Sequence, residues 1–135
     1  MWKFITSFKR NIPLSDYSFK LKFSFDKRLA ESNKILEKNP SKIPVIIERD
    51  DHSQLPDLST NKFLIPNNLS VAQLLMILRD KLINLEPTQG IFIFIGSSEI
   101  LTIPDKDSTI GKLYNKYKDR DGFLYCKITG LETYG

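Results

Sequence analysis

The chain has one cysteine, one histidine and six glycines among 135 residues. Cys126 alone closes no internal disulfide, which fits a reducing compartment. With His52 the single histidine, no Cys/His cluster has the spacing of a zinc site. No glycine-rich phosphate loop occurs, and the dispersed acids define no catalytic carboxylate pair. Cys126 falls in an expected strand and His52 in a turn-like stretch, and no third group orients them as a nucleophile and base. The expectation is a protein without catalytic activity, with Cys126 in the core and His52 at the surface. Apolar runs stay far below the roughly 18 residues of a membrane-spanning helix, so membrane association is expected to be peripheral or covalent. Trp2 in place of glycine excludes N-myristoylation, and the C-terminus is not a prenylation box.

What is present is globular: 41% hydrophobic and 27% charged residues, enough for one domain with a real core. The net charge of +4 is uneven. Residues 1–49 hold 11 Lys/Arg against 5 Asp/Glu, and residues 50–135 hold 9 against 11. Such a basic third attracts acidic partners, anionic lipid or nucleic acid, or is a plain solvated face. Within residues 1–24, Trp2, Phe4, Phe8, Tyr17, Phe19 and Phe23 alternate with Lys and Arg. This segment is read as an N-terminal extension that partly docks as a helix, with a targeting presequence as the alternative.

Phe25 to Lys38 has a helical pattern, with Phe25, Leu29, Ile35 and Leu36 as its apolar stripe and Asn39-Pro40 as its stop. Ile43 to Glu48 is a β-branched strand, and Lys62 to Ile65, ended by Pro66, is a second strand pairing with it. Ser70 and Gln73 form a capping box flanked by Leu69 and Leu74, and Val71, Leu74, Leu75, Leu78 and Leu82 make a core-facing helical stripe. Ile91 to Ile95 is apolar without alternation, so both its faces need cover and it is expected at the centre of the sheet. Residues 96–107 read as a loop, Ser108 as the cap of a short helix with Ile110, Leu113, Tyr114 and Tyr117, and Phe123 to Ile128 as the last strand. The expected organisation is an extension over 1–24, a domain over 25–128 and a flexible tail over 129–135.

From Ile43 onward the order is ββαβαβ. The expected class is α+β: a ubiquitin-like β-grasp with a four-stranded mixed sheet and extra N-terminal helices. The helix from Ser70 would cover one face of the sheet and the N-terminal helical segment the other.

Five stretches carry a family resemblance: Phe25-Asp26-Lys27-Arg28, Ile43-Pro44-Val45-Ile46, Lys62-Phe63-Leu64-Ile65-Pro66, Asp121-Gly122-Phe123-Leu124-Tyr125 and Tyr134-Gly135. In this order and spacing the chain, from about Phe25 to Gly135, resembles the autophagy-related protein eight family of ubiquitin-like modifiers, which includes the GABA-receptor-associated protein. The resemblance implies activation of the Gly135 carboxylate by an E1-type enzyme, passage through an E2-type cysteine and transfer to the amine of phosphatidylethanolamine. It implies no cofactor, a cysteine protease for delipidation, and a protein of the cytoplasm and of autophagosomal or related organelle membranes. A glycine suits a reactive terminus, because without a Cβ it threads narrow channels and takes backbone angles closed to other residues.

The resemblance also implies capture of cargo receptors through peptides with an aromatic residue and an aliphatic one three positions later. The peptide would add a strand along Lys62–Ile65, where side-chain alternation sets Lys62 and Leu64 on one side and Phe63 and Ile65 on the other. Carried over by resemblance, the aromatic pocket is Glu31, Ile35, Pro44, Lys62, Leu64 and Phe123. The aliphatic pocket is Phe63, Ile65, Pro66, Leu69, Leu74 and Ile77. Arg49 and Lys62 would attract acids that precede the aromatic residue. Leu74 stands where relatives commonly have an aromatic, and the loop after Ile95 and the N-terminal extension are longer than usual. Two other readings stay open: a peptide-binding ubiquitin-like adaptor that is never conjugated, and a basic nucleic-acid-binding domain, although no nucleic acid is expected as a partner.

Overall fold

The computed structural model describes residues 16–82, 85–96 and 101–130. Two helices open it, α1 (Ser18–Lys22) and α2 (Phe25–Lys38), followed by β1 (Lys42–Arg49), β2 (Lys62–Pro66), α3 (Val71–Lys81), β3 (Ile91–Gly96), β4 (Leu101–Thr102), α4 (Ile110–Tyr117) and β5 (Leu124–Gly130). The sheet runs β2-β1-β5-β3-β4. β1 and β5 pair in parallel and every other neighbour is antiparallel, so the sheet is mixed.

The α+β architecture is as expected, with a correction to the strand count. The expected sheet had four strands, and the described residues form five. Leu101 and Thr102, read as loop, pair with Gly96 and Ile95. β3 is not central either. An apolar strand reports cover on its two faces but not which strands flank it. The centre belongs to β5, buried at all seven positions between β1 and β3. β5 also runs to Gly130, two residues past the boundary expected at 128.

Alternation along the strands divides the core in two. Val45 and Ile47 of β1 and Leu124, Cys126 and Ile128 of β5 face a cluster completed by Val71, Leu74, Leu78, Ile110 and Leu113 from α3 and α4. Ile46 and Tyr125 face the opposite way, into a second cluster with Tyr17, Phe19 and Phe123. One face is thus roofed by α3 and α4, and the other by the N-terminal segment with α2.

Local signals explain the helices. Gln73 N donates to Ser70 Oγ at 3.1 Å and Ser70 N to Gln73 Oε1 at 2.9 Å, a complete capping box. α4 is capped by Thr109, one residue after the expected Ser108: Lys112 N donates to Thr109 Oγ1 at 3.4 Å. α2 starts at Ser24, whose Oγ accepts from Lys27 N, and stops before Pro40. Of its expected apolar stripe, Leu29, Ile35 and Leu36 are half-buried and Phe25 is exposed, and its one fully buried residue is Ser32. A Cβ at Gly122 would stand 2.3 Å from Ser32 Oγ, so the helix approaches the turn before β5 too closely for larger side chains. Ser32 Oγ donates to the Asp121 carbonyl there at 2.5 Å.

The N-terminal segment is held by charge as well as by rings. Glu48, nearly buried on β1, accepts from Ser18 N at 2.8 Å and Phe19 N at 3.0 Å. Lys127 on β5, also buried, lies 3.5 Å from Glu48 and donates to the Asp16 carbonyl at 2.9 Å. A buried ion pair is stable only when its remaining hydrogen-bonding capacity is met, and residues 16–19 meet it here.

Candidate peptide-binding surface

β2 is an edge strand. Its one ladder is to β1, with Lys42 opposite Pro66, Pro44 opposite Leu64 and Ile46 opposite Lys62. Its outer side therefore offers a template for one more strand. Alternation splits its side chains as expected. Phe63 and Ile65 turn toward the cluster under α3, while Lys62 and Leu64 are exposed.

On the α2 side, Lys62 Nζ sits 2.9 Å from Glu31 Oε2 and ties β2 to α2. Ile35 packs against the second cluster, and Phe123, 1% exposed, lies in it. Pro44 is buried on β1, just before the ladder to β5 begins at Val45. Leu64 is 41% exposed at the rim. The expected aromatic-pocket residues thus gather around the strip between α2 and β2. Two residues that sequence reasoning missed join them: Lys62 Nζ lies 5.6 Å from the centre of the Phe19 ring and 5.7 Å from that of Phe23. Their spacing of four, one helical turn, was the available signal.

On the α3 side the expected residues divide. Leu74 is fully buried and Ile65 nearly so, both in the main core. Phe63 and Leu69 are partly buried against it, and Ile77 is 38% exposed. Pro66 is exposed at the end of the strand. Leu74 is core, and the accessible apolar surface is Ile77 with parts of Phe63, Leu69 and Pro66.

Arg49 and Lys62 line one cleft of about 770 Å³ alongside Asp16, Glu48, Asp51 and Asp57. Both cations already have carboxylates of their own. Arg49 Nε donates to Asp57 Oδ1 at 2.7 Å, and Nη1 to the Ser53 carbonyl. Gly135 lies outside the described residues.

Elsewhere the chemistry is quiet. Cys126 is fully buried and burial pushes its thiol up well above the ordinary value, so it is a core residue. His52 is half-exposed, with Nδ1 3.1 Å from Asp50 Oδ2. No helix among the described residues is long and apolar enough to cross a membrane.

A β-grasp sheet roofed on one face by α3 and α4 and on the other by N-terminal helices defines a ubiquitin-like protein with an added helical layer. The family model described as "Autophagy protein Atg8 ubiquitin like" matches residues 27–135. Autophagy-related protein 8h of Arabidopsis thaliana is 41% identical over 118 residues, covering 87% of this chain and 95% of its own length. Autophagy-related protein 8 of Candida glabrata is likewise 41% identical over 118 residues, covering 87% of this chain and 96% of its own. The crystal structure of Trypanosoma brucei ATG8 superimposes with a TM-score of 0.77 at 32% identity, covering 86% of this chain and 96% of that one. Plasmodium falciparum Atg8, solved with a peptide of Plasmodium falciparum Atg3, gives 0.72 at 35% identity, covering 84% and 95%. The chain belongs to the Atg8 family of ubiquitin-like autophagy proteins.

Proposed function

We propose that this chain is a non-enzymatic modifier, conjugated through Gly135 to phosphatidylethanolamine, that gathers cargo receptors by binding aromatic-x-x-aliphatic peptides along β2. The carrying observation is the edge position of β2, with Lys62 and Leu64 exposed toward α2 and partly buried Phe63 and exposed Ile77 toward α3. An extended peptide on that edge places alternate side chains toward the two sides, and its backbone bonds to β2. An E1-type enzyme activates the Gly135 carboxylate with ATP, and an E2-type cysteine carries it as a thioester. The lipid amine attacks the thioester carbonyl, an amide forms and the thiol leaves. The Plasmodium falciparum protein's complex with an Atg3 peptide supports an E2-type partner here. The protein is cytoplasmic until lipidated and then resides on autophagosomal or related membranes, from which a cysteine protease releases it.

The test is reconstitution with cognate E1-type and E2-type enzymes, ATP and phosphatidylethanolamine liposomes, read by mass spectrometry. A lipid adduct on the wild type and none on Gly135→Ala is the expected result. No adduct, with enzymes active on their own substrate, leaves an unconjugated peptide-binding adaptor.

A further inference from the structure

Beside the six aromatic-pocket residues carried over from the family, the ring centres of Phe19 and Phe23 lie 5.6 and 5.7 Å from Lys62 Nζ. The Phe23 ring is only partly buried and packs against the cluster that holds Phe123 and Ile35. It is tilted on Phe19 with centroids 5.2 Å apart, and Phe19 meets Phe123 edge-on, also at 5.2 Å. Its backbone is fixed on both sides. Phe23 N donates to the Phe19 carbonyl at 3.2 Å and closes α1, while Arg28 Nε donates to the Phe23 carbonyl at 3.1 Å from α2. The ring is therefore placed before any ligand arrives, and little ordering cost attends its use.

We propose that Phe23 is a specificity-determining wall of the aromatic pocket, selecting tryptophan over aliphatic residues in the bound peptide by direct ring–ring contact. The inference rests on the peptide-binding reading of β2. The ammonium groups of Lys22 and Lys62 lie 5.6 and 5.7 Å from the Phe23 ring centre. Cations drawn to the π electrons leave the ring's edge more positive. A positive edge pairs best with the electron-rich face of an indole in a T-shaped contact.

The experiment measures the affinity of the full chain for two peptides that differ only at the aromatic position, Trp-x-x-Leu and Leu-x-x-Leu. The proteins are wild type, Phe23→Leu, which keeps apolar volume, and Phe23→Tyr, which keeps the ring. Phe23→Leu is expected to cut the Trp-over-Leu preference by about three- to tenfold, the scale of one aromatic pair, with the larger loss on the Trp-x-x-Leu peptide. Phe23→Tyr retains the preference. A preference unchanged in Phe23→Leu, or a gain for the Trp peptide, overturns the proposal alone. Failure of the wild type to bind either peptide overturns it together with the reading beneath.

Discussion

Replacing Asp121 by alanine removes one carboxylate and strands three donors. Asp121 is fully buried in the turn before β5. Its Oδ2 accepts from Arg28 Nη1 at 2.5 Å and from the Tyr125 hydroxyl at 2.5 Å, and its Oδ1 accepts from Phe123 N at 2.9 Å. Burial first, and then the bond to Asp121, hold the Tyr125 hydroxyl protonated well above the usual tyrosine range, so it stays a donor. The Arg28 side chain is 11% exposed and finds little water to replace its partner. Breaking a buried pair by removing one member costs about 3–5 kcal/mol. A typical domain is stable by about 5–15 kcal/mol, so the loss is a large share of the whole. In a chain of this size it amounts to a fall in Tm of roughly 10–20 °C. Asp121→Asn keeps an acceptor and loses about half as much, since a neutral hydrogen bond is about half as strong as a charge-assisted one. Urea unfolding of the two variants, with unchanged m-values, reads both numbers. A loss below about 1 kcal/mol for Asp121→Ala would refute the reasoning, because the three donors would then have found other partners.

Four further outcomes are expected. Leu74→Ala opens the core under α3 and costs about 2–5 kcal/mol in unfolding. Ile77→Asp, at an exposed position, leaves stability within about 0.5 kcal/mol but weakens peptide binding at least tenfold by titration; the reverse pattern would move the aliphatic pocket inward. Gly122→Ala combines a φ of +91° with a Cβ 2.3 Å from Ser32 Oγ, and calorimetry should show a loss of about 2 kcal/mol or more, part of it recovered by Ser32→Gly. Burial pushes the Asp119 carboxyl up, but its hydrogen bond from Lys20 outweighs this with other contacts and holds it below the ordinary 3.8. Its contribution is therefore present above that value and lost as pH falls through the depressed one. Protection factors for the amides of residues 19–23, normalised to the intrinsic exchange rate at each pH, should hold down to about pH 4 and fall below it, and acid limbs that coincide for wild type and Asp119→Asn would contradict this.

The sequence made local chemistry legible and left long-range neighbours hidden. The capping box of Ser70 and Gln73, the stop at Asn39-Pro40 and the alternation along Lys62–Ile65 depend on residues a few positions apart, and all three are in the structure. The pairing of β1 with β5 joins Val45 to Leu124, and nothing in either strand names the other as partner, so the apolar β3 looked like the centre. A two-residue strand such as β4 has no period to detect. At the site, family resemblance named the residues around Lys62, but not their engagements. The pairing of Arg49 with Asp57 and the rings of Phe19 and Phe23 beside Lys62 are tertiary facts, whereas the burial of Leu74 follows from its place in the core-facing helical stripe.

The central place of β5 has a mechanical meaning. A protein tethered at its C-terminus to a membrane and gripped along β2 by cargo feels tension across its sheet. The path runs from β2 to β1, from β1 to β5 and out beyond Gly130. β5 is bonded on both flanks, through five register pairs to β1 and five to β3. A pull along its axis strains both ladders together in shear. An edge strand under the same pull would carry the load on one ladder alone, so the sheet order divides the force at the anchor point between two.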